Sequence, residues 1–61
     1  MTTNSYERAI LTVLLKKRIW MNTTQIAEAT GFSWNTTKTY LERIYTKGWL
    51  SRKGNYWRAR K

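Results

Sequence analysis

Residues 22–44 read Asn22-Thr-Thr-Gln-Ile-Ala-Glu-Ala-Thr-Gly-Phe-Ser-Trp-Asn-Thr-Thr-Lys-Thr-Tyr-Leu-Glu-Arg-Ile44. Asn22 followed three positions later by Gln25 forms a capping box: the Asn side chain accepts from the Gln25 backbone N–H, and the Gln side chain reaches back. Ile26 and Ala27 then give a short helix, residues 23 to 30, an apolar side. Gly31 ends it, being suited to the left-handed position after a helix. Only Phe32 separates that glycine from Ser33, a second cap. From Ser33 to Lys47 the residues Thr37, Leu41 and Ile44 recur at i, i+4 and i+7 and mark the inner face of a longer helix, with Gly48 closing it. Asn35, Lys38, Thr39 and Glu42 occupy the opposite face.

Beyond Trp49 the period falls from 3.6 to 2. Leu50, Trp57 and Ala59 alternate with Ser51, Lys53, Tyr56 and Arg58, and Gly54-Asn55 makes a two-residue hairpin turn between the runs. Such a loop pairs Leu50 with Ala59 and Arg52 with Trp57, placing the apolar members on one face. Towards the N-terminus, Asn4 and Glu7 make a further capping signal. Tyr6, Ile10, Val13 and Leu14 follow at helical spacing, predicting a helix over residues 5 to 17. Leu11 and Leu15 widen its apolar face beyond what one small core requires. The segment Arg18-Ile19-Trp20-Met21 is β-prone and long enough for a strand of two or three residues.

Sixty-one residues suffice for one small domain with one core. The chain carries +9, of which residues 1–30 contribute +2 and residues 31–61 contribute +7, so the positive charge lies on the C-terminal half. His, Cys and Asp are absent, which removes disulfides, thiolate and imidazole metal sites, and His-assisted or Cys-based nucleophiles. Glu7, Glu28 and Glu42 are the only acidic side chains. Capping explains Glu7, solvent exposure explains Glu28, and no catalytic pair is expected. Four Trp, four Tyr and one Phe make the chain too apolar for a basic disordered tail. Trp20, Trp49, Trp57, Tyr40 and Tyr45 are expected to be core or half-core residues that enlarge a small hydrophobic interior; the alternative for them is a stacking platform for single-stranded nucleic acid. No apolar run approaches a membrane span and no signal sequence is apparent, so a cytoplasmic, nucleoid-associated protein is expected.

Taken together, the capped helix with its Ile-Ala pair, the Thr-Gly-x-Ser turn, the following helix with Leu-x-x-Ile, and Lys47-Gly48-Trp49-Leu50 resemble the winged helix-turn-helix family of DNA-binding regulators. The resemblance covers about residues 9 to 58. It implies a mainly α fold of three helices plus a hairpin wing, with the third helix in the major groove of double-stranded DNA. Thr37 stands where the family more often has Val or another aliphatic residue, and the two-residue wing turn is short for deep minor-groove insertion. The family commonly reads two half-sites, and Leu11 and Leu15 are the expected homodimer contact. No cofactor, small-molecule ligand or catalysis is implied. Plasmids, viruses and archaea carry stripped-down regulators of this kind. Replication, partition or compaction of DNA, and RNA or protein binding, are other uses of such a fold.

The same reading follows from groove chemistry. An α-helix fits the major groove, where each base pair shows a distinct donor and acceptor pattern. Ser33, Trp34, Asn35, Thr36, Lys38, Thr39 and Arg43 are the candidate contacts on the third helix, and Arg52, Lys53, Tyr56 and Arg58 those on the hairpin. Asn35 suits adenine and Lys38 suits guanine. Thr36 and Thr39 suit phosphates or a thymine methyl, and Glu42 suits cytosine N4. Trp34 has two readings: packing on sugars or a thymine methyl, or folding back onto the hairpin. The basic run Arg52, Lys53, Arg58, Arg60 and Lys61 exceeds what edge protection of a strand requires and points to phosphate.

Overall fold

The computed structural model describes residues 5–60 and contains three helices and a small antiparallel sheet. The elements are α1 (Ser5–Lys17), β1 (Met21–Asn22), α2 (Thr23–Thr30), α3 (Trp34–Thr46), β2 (Leu50–Lys53) and β3 (Tyr56–Ala59). The boundaries of α2 and α3 agree with the capping signals. At α2 both halves of the capping box form: Gln25 N donates to Asn22 Oδ1 at 2.8 Å and Asn22 N to Gln25 Oε1 at 3.0 Å. Gly31, with φ of 80°, stops α2 in the left-handed conformation and donates its N–H to the Ala27 carbonyl. Ser33 then accepts from Thr36 N at 3.2 Å and starts α3. The expected cap of α1, Asn4, lies outside the described residues.

The sheet order is β1-β3-β2, so the hairpin's second strand is central. Its register is the expected one, Leu50 opposite Ala59 and Arg52 opposite Trp57. Gly54 takes φ of 61° as the first residue of the turn, the glycine-first form that matches strand twist. The short strand comes two residues later than the centre of its β-prone segment, at Met21–Asn22, because pairing with Trp57 and Tyr56 selects it. Asn22 thereby ends a strand and caps a helix at once.

One cluster holds the helices to the sheet: Ile10 and Leu14 of α1, Ile26 of α2, Leu41 and Ile44 of α3, and Met21, Leu50 and Trp57 of the strands. Trp57 is 1% exposed, and its indole N–H donates to Thr23 Oγ1 at 3.3 Å, tying the hairpin to the start of α2. Thr37 is wholly buried, and its hydroxyl donates to the Ser33 carbonyl at 2.9 Å, which is how a polar residue fits a fully buried position.

Other expected core positions differ. Trp20, Trp49 and Tyr45 are exposed, since a core this small takes one indole and the strand pleat gives that place to Trp57, whereas Tyr40 is half-buried against the core as expected. Tyr6 is also exposed, but its ring stacks on Tyr40 at 5.1 Å and meets Phe32 edge-on at 5.0 Å, clamping α1 over the α2–α3 turn. Glu7 has a role that capping does not account for. It is 4% exposed and accepts from Lys47 Nζ at 3.0 Å, joining α1 to the end of α3.

Candidate nucleic-acid interface

The polar face of α3 stands opposite the buried line of Thr37, Leu41 and Ile44. Asn35, Thr39 and Glu42 are exposed along it. Thr36, by contrast, is half-buried and its hydroxyl accepts from Ser33 Oγ at 2.9 Å, so these two expected contacts also build the cap that starts the helix. Arg43 lies over the Tyr40 ring at 5.5 Å, further round towards α1.

Trp34, Lys38 and Glu42 form a ladder at i, i+4 and i+8. Lys38 Nζ is 3.4 Å from Glu42 Oε2 and 5.5 Å from the centroid of the Trp34 ring. An exposed pair of this kind is worth only a few tenths of a kcal/mol, so the ammonium exchanges readily to a stronger acceptor. Trp34 remains 49% exposed. It stands on one wall of an open cleft of about 350 Å³ with Lys38, facing Arg52 and Asn55 of the hairpin and Asn22 to Thr24 at the start of α2. Arg52 is held there by two contacts: its guanidinium lies 5.1 Å from the Trp57 ring centroid, and Nε donates to the Gly54 carbonyl at 3.2 Å.

The structure therefore divides the expected hairpin residues. Arg52 shares the cleft with Trp34 and Lys38. Strand alternation carries Lys53, Tyr56 and Arg58, all exposed, to the sheet face turned away from the core. Asn22, Thr24 and Asn55 also line the cleft, although no sequence pattern marks them as contacts. The Asn22 capping box and the Gly54-Asn55 turn are both legible in the sequence; their closeness to Trp34 is not.

The expected homodimer residues also separate. Leu11 is half-buried and packs on the chain's own core, so the expectation that it lacks a place there is corrected. Leu15 is 40% exposed and lines an open groove of about 600 Å³ with Leu11, Gly48, Trp49 and Arg60. Among the described residues no helix is long and apolar enough to cross a membrane. Comparison of the chain with family models, curated proteins and solved structures gives no match.

Proposed function

We infer that the chain is a winged helix-turn-helix protein that binds double-stranded DNA in a sequence-specific manner and acts as a transcriptional regulator. The observation that supports this best is the alignment of the α3 polar face with the cleft. Asn35 and Thr39, together with Trp34, Lys38 and Arg52, present amide, hydroxyl, indole and cationic groups on one side of the molecule. A 13-residue helix is about 20 Å long, enough to lie in a major groove. Asn35 and Lys38 read base edges in this arrangement. Arg52, and Lys53 near the tip, hold flanking phosphates. A homodimer through the Leu15 and Trp49 groove doubles the number of base contacts that one small module offers.

Selection of bound sequences from a random duplex pool tests the reading directly. Enrichment of a defined site, with two half-sites about one helical turn apart, is the expected outcome. With that site, Asn35→Ala and Lys38→Ala each reduce discrimination against a mismatched duplex by about 1–3 kcal/mol, the worth of one bidentate pair with a base edge. Arg52→Ala and Lys53→Ala weaken binding to all duplexes alike. Equal affinity for random and selected DNA would replace the regulator with an architectural protein.

A further inference from the structure

The face of the sheet opposite the core carries a second chemistry. Lys53, Tyr56 and Arg58 project from it, because their neighbours Arg52 and Trp57 point inward. β1 extends the pattern. Met21 pairs with Trp57 and shares its inward face, and Trp20 immediately precedes β1, where strand alternation turns it towards the outer face. Both rings are open to solvent, Trp20 by 37% and Tyr56 by 46%, although large aromatic side chains in a chain this short are the natural filling of its core. No acidic side chain occurs anywhere in residues 43–61.

Two exposed rings interleaved with cations on an antiparallel sheet match one kind of partner, a polyanion whose units have free π-faces. A duplex offers its bases only by their edges, and an acidic protein surface supplies charge without stacking partners. We propose that the outer face of the β1-β3-β2 sheet binds single-stranded DNA, with bases stacked on Trp20 and Tyr56 and the backbone held by Lys53 and Arg58. The stacking site stands on its own geometry; the choice of DNA over RNA rests on the duplex reading above. The molecule measures 28 × 24 × 19 Å, so a strand leaving a duplex held by α3 reaches the sheet within the same module.

The test uses the full chain and a labelled eight-residue oligo-dT without duplex, followed by fluorescence anisotropy. Trp20→Leu and Tyr56→Leu should each weaken binding by about 5- to 100-fold. Tyr56→Phe, which keeps the ring, should hold affinity within about twofold, and Asn35→Ala should leave it unchanged. Amide chemical shifts of the unsubstituted protein give a readout independent of any folding defect, with oligo-dT moving residues 20, 51–53 and 56–58 rather than α3. Shifts centred on α3, or affinity indifferent to loss of both rings, would overturn the stacking site. Tighter binding of oligo-U would overturn the assignment to DNA. Failure of the duplex selection leaves these readouts intact, so the two readings fail separately.

Discussion

Thr37 shows how a single side chain reconciles a polar residue with a buried position. Its hydroxyl donates to a carbonyl that also accepts the helical bond from Thr37 N at 3.0 Å. Thr37→Val therefore leaves no backbone group unpaired and fills the same volume, and thermal unfolding should find it as stable as the unsubstituted protein or slightly more so. Thr37→Ser removes a buried methyl and should cost about 1 kcal/mol. If Ser were tolerated and Val destabilising, the hydroxyl would have a partner other than Ser33. Arg18 is the residue-scale counterexample to reading glycines alone. It has φ of 53° directly after α1 and its N–H bonds the Leu14 carbonyl, a helix stop made without glycine and with no local sequence signal.

Between elements, the contact of greatest consequence is Glu7 with Lys47, 40 residues apart. Lys47 is the C-cap of α3, and its ammonium also lies 5.2 Å from the Trp49 ring centroid, so one side chain links α1, the end of α3 and the entry to β2. The carboxylate is buried while the ammonium is partly solvated. Removing the cation takes an ion-pair partner from a buried carboxylate, and Lys47→Met should cost about 1–3 kcal/mol, less than for a wholly enclosed pair because water reaches one partner. Glu7→Gln keeps the shape and should cost less. In a denaturant double-mutant cycle the two should be non-additive, and additive costs would show that the pair contributes packing alone.

At the scale of the whole molecule, the charge distribution sets what the proposed duplex binding should show. Each phosphate neutralised lowers the slope of log K against log salt by about 0.9, so four contacts from Lys38, Arg43, Arg52 and Lys53 give a slope of about −3.5. Titrations from low to moderate salt measure it, and a flat dependence would remove the electrostatic basis of the interface. Assembly belongs to the same scale. Leu15, not Leu11, is the exposed member of the α1 pair, so Leu15→Lys alone should convert a dimer to a folded monomer with weakened binding to a two-half-site duplex. Sedimentation of the unsubstituted protein, if monomeric well above DNA-saturating concentrations, would rule out a preformed dimer through this groove.

Local chemistry alone determined α2, the start of α3, the turn between them and the hairpin register. Asn22, Gln25, Gly31, Ser33 and the Gly54-Asn55 pair each act within a few residues of chain, and capping and turn geometry need nothing further. The polar face of α3 was legible for the same reason, as a periodic pattern on one helix. Only the tertiary structure decided which aromatic enters the core, because Trp20, Trp49 and Trp57 are alike in hydrophobicity and the strand pleat, fixed by pairing, admits one of them. It also decided that Glu7 meets Lys47, that Trp34 and Lys38 share a cleft with Arg52, and that Trp20 and Tyr56 are left open to solvent. The first two bring together residues far apart in the chain. Their meeting depends on how the helices pack against a sheet whose central strand is the last one formed along the chain, and no local periodicity encodes that.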